Sequence, residues 1–430
     1  MYNEIQQGGK ALMGIFDFIK GKSKYDNWAI ALDIGTEFVK ALIFEVKEGE
    51  ALIKGVGRQR QKLSDMQSGA VTDIAGVIKN CEKALEKSAS QARVLPYQVI
   101  IGIAGELVKG LSTTIAYTRP NSKQKIALEE LKEIIRKVQR KSFEQARKIM
   151  AWETGHNEID VRLVNAAIVN VKIDGYRVTN PLGFQGKEVE VTVFNAFAPI
   201  VHLGALQSVA DELELDLLSV TAEPYAVARS LGEEEAVDFS AIFIDVGGGT
   251  TDIAVVRNGG VEGTKMFALG GRAFTKRIGA GLDLDFRIAE QVKLDYSAKK
   301  LPVKRFNQVK DLIEQDLQVW FSGVELTLEE FGSTDLLPSR IFLCGGGSQL
   351  PDIKNFLDKV QWSNSLPFAK NPSVKFIKPQ DVARVKDETK SLHQPQDVTP
   401  VALVNLAIDL TGKESATKSM TNRIISSLNK

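Results

Sequence analysis

Asp245-Val246-Gly247-Gly248-Gly249-Thr250-Thr251-Asp252 is the stretch that decides the reading of this chain. An apolar strand, Ala241 to Ile244, runs into it, and a second, Ile253 to Val256, leaves it. Three glycines followed by two hydroxyls and a carboxylate make a poor strand interior unless a ligand fills the turn. Small residues let backbone N–H groups approach an anion, and a carboxylate beside them can organise a hydrated magnesium ion. The stretch reads as a phosphate-binding turn.

The same plan occurs earlier. Trp28 to Leu32 is an apolar run ending in Asp33-Ile34-Gly35-Thr36, with apolar residues resuming at Val39 and continuing to Phe44. Alone, Asp33-Ile34-Gly35-Thr36 is a weak signal that reads first as an ordinary hairpin, since Asp-Ile-Gly ends many strands; as a weak repeat of the second turn it implies two halves of similar plan. Between them, helical spacing over Val71 to Ala92 and a buried strand at Val99 to Ala104 describe mixed α/β structure. Leu128, Leu131, Ile134, Ile135 and Val138 mark an amphipathic helix running towards Met150. Strands at Arg162 to Ile173 and Glu188 to Phe197, separated by Asp174-Gly175 and Asn180-Pro181, complete a plausible inserted subdomain. Helical patterns return at Leu203 to Leu213, Thr275 to Leu294, Phe306 to Leu328 and Pro400 to Leu410. A strand at Ile341 to Leu343 leads into Cys344-Gly345-Gly346-Gly347-Ser348, and Gln361 to Pro400 has little periodicity beyond a short strand near Val374 to Ile377.

Composition narrows the function classes. A chain of 430 residues exceeds one ordinary core, so two or more domains are expected. With 55 basic and 54 acidic residues and no long basic block, there is no electrostatic footprint for nucleic acid. Cys81 and Cys344 read as buried small residues in a reducing, cytoplasmic setting, with no disulfide framework. No apolar run reaches the roughly 18 residues of a membrane span, so any membrane contact is expected to be peripheral. Gly21-Lys22-Ser23 is a decoy for a P-loop, because Phe16 stands where the first glycine is required, and no dinucleotide-type Gly-x-Gly-x-x-Gly opens a helix. His156, His202 and His393 are scattered and suggest no metal site.

The motif set resembles the superfamily of actin, sugar kinases and chaperone ATPases. Asp33 to Thr36 corresponds to the first phosphate motif, Asp245 to Asp252 to the second, and Cys344 to Ser348 to the adenosine motif. Ala222-Glu223-Pro224-Tyr225-Ala226-Val227-Ala228 resembles the first connecting helix, and Pro400 to Ala407 the second. The resemblance implies ATP and Mg as ligands, with Asp33 and Asp245 holding magnesium through water. It further implies that Gly35, Thr36, Lys40, Gly247, Gly248, Gly249, Thr250, Thr251, Asp252 and Gly271 surround the phosphates. Gly345, Gly346, Gly347 and Ser348 would lie against the base or ribose. Glu223 would position the attacking water, although a carboxylate opening a helix is equally expected for its dipole. Glu290 and Lys293 resemble an adenosine-contacting pair, and are equally a common solvated face at helical spacing.

The insert following Val99-Ile100-Ile101-Gly102-Ile103-Ala104-Gly105 resembles the FtsA family of bacterial cell-division actin homologues, as do Val39-Lys40-Ala41-Leu42 and the intact Gly-Gly-Gly-Thr-Thr-Asp. Glu223-Pro224-Tyr225-Ala226 and Gly270-Gly271 with Thr275 also resemble PilM, the adaptor of type IV pilus assembly that is the alternative. The implied fold is α/β: an actin-like two-lobed ATPase of duplicated ribonuclease-H-like domains with an FtsA-type inserted α+β subdomain. The expected division is 27–111, 198–230 and 398–411 for the first lobe, 112–197 for the insert and 231–397 for the second lobe. Segments 1–26 and 412–430 are tails; Leu12, Ile15, Phe16 and Ile19 beside several lysines form the better amphipathic anchor pattern, ahead of the C-terminal stretch from Arg423. An FtsA-like protein forms filaments with itself, binds the FtsZ C-terminal tail, other division proteins and an anionic membrane surface, and binds no nucleic acid. At most it is a slow ATPase used as a switch, peripheral on the inner face of the cytoplasmic membrane.

Overall fold

The computed structural model describes residues 26–105, 108–155, 159–231, 239–331 and 335–411. Both tail segments considered as anchors, and His156, lie outside the described residues. The chain opens with β1 (Trp28–Ile34), β2 (Phe38–Lys47), β3 (Glu50–Arg60), the two-residue strands β4 (Met66–Gln67) and β5 (Ala70–Val71), α1 (Ile74–Ala92) and β6 (Gln98–Ile103). Every residue of β1 after Trp28 is buried, as a central strand covered on both faces requires. By contrast β3 alternates between buried and half-buried positions, its buried face lying under α1. That helix starts on Asp73, whose side chain accepts from the Gly76 N–H, and ends at Arg93 in the left-handed region, φ 59°.

Next come β7 (Lys109–Thr118), α2 (Leu128–Thr154), β8 (Val161–Ile173), β9 (Tyr176–Arg177) and β10 (Glu188–Pro199). Along α2 the buried stripe is Leu131, Ile134, Ile135, Val138, Ser142, Ala146 and Met150, the spacing of one helix face, and it packs on β7 and β10. The chain then returns through α3 (Ile200–Glu212), β11 (Asp216–Ala222) and α4 (Glu223–Ser230).

The second half contains β12 (Ala241–Val246), β13 (Thr251–Arg257), β14 (Gly260–Phe267), α5 (Gly271–Leu282), α6 (Phe286–Ser297), α7 (Val303–Glu329), β15 (Arg340–Cys344), α8 (Pro351–Lys359) and β16 (Ser373–Phe376). Finally, β17 (Val385–Asp387) adds to the edge of β3, and α9 (Val398–Ala407) packs beside α4. The single helical pattern expected over Thr275 to Leu294 is two helices. Asp283 adopts φ 52° and ends α5, and the Asp285 carboxylate caps α6 by accepting from the Arg287 and Ile288 N–H groups.

Strand order makes the duplication explicit. In the first sheet β3, β2 and β1 form an antiparallel meander, followed by β6 and β11 in parallel. In the second, β14, β13 and β12 form the meander and β15 and β16 follow in parallel. This is the duplicated ribonuclease-H-like plan. The sheet of β7, β10 and β8 continues from β14, with Gly263 opposite Leu111 and Thr264 opposite Gly110. One core gathers Ile30, Leu32, Phe44, Ile101 and Leu403; another gathers Ile244, Phe274, Trp320, Phe321 and Leu343. At the open end of both meanders, the β1–β2 and β12–β13 turns face one another across a cleft.

Candidate functional site

Each turn is anchored by an aspartate at the end of a central strand. Asp33 lies opposite Lys40 in the register of β1 and β2, and its Oδ2 accepts from Lys40 Nζ at 2.8 Å. Asp245 lies opposite Asp252 in β12 and β13, so the position of Lys40 is taken in the second half by another carboxylate. Both turns span the same seven-residue interval, which is why the repeat in sequence becomes a pseudo-symmetric pair in space.

The cleft between the turns has a volume of about 630 Å³, within the usual range for a small-molecule site. Asp33, Gly35, Thr36, Lys40, Glu223, Asp245, Gly247, Gly248, Thr250, Asp252, Gly271, Glu290, Lys293, Gly345, Gly346 and Gly347 all line it. Three expected site residues do not. Thr251 is buried, donating to the Leu269 carbonyl at 2.7 Å and accepting from Trp320 Nε1 at 2.9 Å. Ser348 is buried and donates to the Gly345 carbonyl at 2.7 Å. Gly249 faces the Thr36 side chain instead of the cavity.

Charge in the cleft is lopsided. Asp33, Glu223, Asp245 and Asp252 gather around the ammonium of Lys40, whereas the other basic side chains of the cleft, Arg60, Arg272 and Lys293, pair with Glu37 or Glu290. Burial and the neighbouring Asp245 push Asp252 up to about 8, against the bond it accepts from Thr250. Burial also raises Asp245, opposed by the hydroxyl of Thr399, which donates to it at 2.6 Å, and by Lys40. Glu223, the first residue of α4, is raised well above the ordinary carboxylate range by burial and by Asp33, Asp252 and Asp245, with Lys40 acting the other way. Burial works against the charge on Lys40, yet Asp33 and the other carboxylates raise it overall.

Glu290 and Lys293 pair at 2.9 Å on α6. Lys293 Nζ also donates to the Gly271 carbonyl at 2.9 Å and Thr275 Oγ1 at 2.7 Å. Burial works against ionisation of Glu290, but Lys293 and Thr275 hold it below its usual value. The pair is therefore part of the cleft wall and not a solvated face. On the opposite wall Gly345 has φ 83°, and a Cβ there would lie 2.1 Å from Asp245 Oδ1, so the turn after β15 admits only glycine. Cys344 is buried beside Asp245, and burial and that carboxylate raise its thiol far above reactive range.

Sequence reasoning missed Glu37, Arg60, Arg272, Gln396 and Thr399, which also line the cleft. Glu37 and Arg272 follow the motif glycines closely, but nothing in a linear reading pairs residues 235 positions apart. Thr399 immediately precedes the expected second connecting helix, whose first residues could have been searched for a hydroxyl partner of Asp245.

Fold and cleft together define the class: an actin-like two-lobed protein of duplicated ribonuclease-H-like domains. Within that class, the chain is similar to FtsA. The family model described as cell division protein FtsA matches residues 242–402. Curated cell division proteins FtsA resemble the chain beyond that span. The Pseudomonas aeruginosa protein is 24% identical over 342 residues, covering 75% of this chain and 78% of that one. The Neisseria meningitidis protein is 24% identical over 403 residues, covering 89% and 90%, and that of Bacillus subtilis is 23% identical over 357 residues, covering 78% and 77%. Among solved structures, a PilM-PilN type IV pilus biogenesis complex matches with a TM-score of 0.60 at 19% identity, over 90% of this chain and 99% of that one. That likeness concerns the fold.

Proposed function

We propose that this chain is an ATP- and magnesium-binding, filament-forming actin homologue of bacterial cell division that links the FtsZ ring to the inner face of the cytoplasmic membrane. The observation that carries this reading is the meeting of two aspartate-led turns across one cleft, in a chain similar to FtsA along most of its length. The donor set fits the ligands. With Arg60, Arg272 and Lys293 paired to Glu37 and Glu290, four carboxylates remain around Lys40; burial and their mutual repulsion raise Glu223, Asp245 and Asp252, and a dication would draw them to their charged forms. Asp33 and Asp245, at the ends of the two central strands, would hold magnesium through water. Magnesium would supply charge neutralisation for the phosphates. Gly35, Thr36, Gly247, Gly248 and Thr250 would clasp those phosphates, Glu290 and Lys293 with Gly345 to Gly347 would bound the adenosine, and Glu223 would position a water.

Turnover on this reading is slow and acts as a switch for polymerisation. The partners are further copies of the chain, the FtsZ C-terminal tail, other division proteins and anionic lipid. Among the described residues no helix is long and apolar enough to cross a membrane, so the proposed attachment is peripheral. Electron microscopy of the protein on an anionic lipid monolayer tests the reading. Filaments are expected with ATP and magnesium and not without them. ATP binding with no polymer on lipid would contradict it and favour a PilM-like adaptor that binds a peptide of a membrane partner.

A further inference from the structure

The two phosphate turns are tied to each other by one arginine. Arg272 is the second residue of α5, and its backbone N–H donates to the Gly248 carbonyl at 2.8 Å, beside the Gly271 N–H on the Gly247 carbonyl at 2.9 Å. Its main chain thus belongs to the turn of the second lobe. Its side chain crosses the cleft: Nε donates to Glu37 Oε2 at 2.8 Å, and the two terminal nitrogens donate to the Thr36 carbonyl at 2.7 Å and the Met66 carbonyl at 3.4 Å. The other Glu37 oxygen is taken by Arg60, at 2.6 Å and 2.8 Å. Both partners are largely shielded, with side chains 12% and 19% exposed, so the pair is less screened than a surface ion pair.

A second observation, independent of any charge, points the same way. A Cβ on Gly248 would lie 3.1 Å from the Glu37 Cβ, and one on Gly249 would lie 3.0 Å from Thr36. The middle of the glycine run is therefore in contact with the opposite turn. At two of its glycines a Cβ would press on the opposite lobe, so the run serves the approach of the lobes as well as room for an anion.

We propose that Arg272 and Glu37 form an interlobe clasp that gates nucleotide exchange. The pair holds the two turns against one another, and on this proposal it must break before the lobes part to release nucleotide. Arg272 and Glu37 are positioning residues here, acting through the turns. The inference rests on the nucleotide reading of the cleft, and adds which contact holds the cleft shut.

The test is stopped-flow dissociation of N-methylanthraniloyl-ATP, with magnesium, from the full chain and from Glu37→Gln, Arg272→Met and the double variant. Each single variant is expected to release the probe roughly five- to tenfold faster, with association changed much less. The double variant is expected to release it no faster than the faster single one, because both remove the same contact. Glu37→Gln carries the sign that decides the matter. Were Arg272 a direct phosphate ligand held back by Glu37, removing the glutamate charge would slow release, and that result overturns the clasp. Release within twofold of wild type, or rates that multiply in the double variant, overturns it as well. If Arg272→Met fails to fold, judged by circular dichroism, Glu37→Gln alone decides. A folded wild-type protein that does not bind the probe at all removes the nucleotide reading and the clasp with it.

Discussion

Asp33 and Asp245 hold equivalent places in the two halves, but their cross-strand partners, Lys40 and Asp252, have opposite charge. The first pair is an ion pair; the second sets the buried Asp252 beside the half-buried Asp245, two carboxylates that cannot both ionise cheaply. Asp252 moves from an ordinary 3.8 up to about 8 in the folded chain. A folded-state value above the unfolded one gives stability that is fully present below about pH 4 and is lost as pH rises through about 8. The ligand-free protein should therefore lose on the order of a few kcal/mol between pH 5 and pH 8.5. Asp252→Asn should flatten that loss, measured as melting temperature against pH; an unchanged slope would free Asp252 of this role. The turns and most cleft residues were legible because glycines, hydroxyls and a carboxylate at such close spacing make a poor strand interior. Thr399 on Asp245 was not, since the two meet only through folding and lie 154 residues apart. Thr251 and Ser348 misled because a hydroxyl within a phosphate motif serves a buried backbone carbonyl equally well.

The elements α1, α2, β8 and β10 all lie within a few residues of their expected spans. Other strands escaped the reading: two of the four buried positions of β3 are the glycines Gly55 and Gly57, which hide its alternation. Here β14 carries Gly, Glu, Thr and Lys among its eight residues, and β11 is mostly half-buried, so neither offers clean alternation. Contact between elements is also silent in sequence. A Cβ on Gly57 of β3 would stand 1.8 Å from the Ala84 carbonyl of α1, so the helix rests on bare backbone at that point. Gly57→Ala should force α1 off the sheet and cost about 2–3 kcal/mol, the scale of overpacking a tight core. Urea unfolding measures this, and a loss under about 0.5 kcal/mol would mean that the interface yields freely.

At the scale of the molecule, two sheets of one strand order, joined by α4 and α9, set two Asp-led turns face to face. The weak repeat announced that duplication, because a strand–Asp–Gly–strand unit is short enough to survive as local pattern. What the repeat could not convey is that the sheet of β7, β10 and β8 continues the sheet of the second lobe, a pairing between segments about 150 residues apart. On the proposed reading, the cleft binds magnesium ATP through Asp245. Isothermal titration calorimetry of ATP, with and without magnesium, into wild type and Asp245→Ala is its most direct measurement. Magnesium-dependent binding by wild type is expected, with its loss in a variant of unchanged circular dichroism. Equal affinity in Asp245→Ala, or no heat of binding from folded wild type, would contradict it.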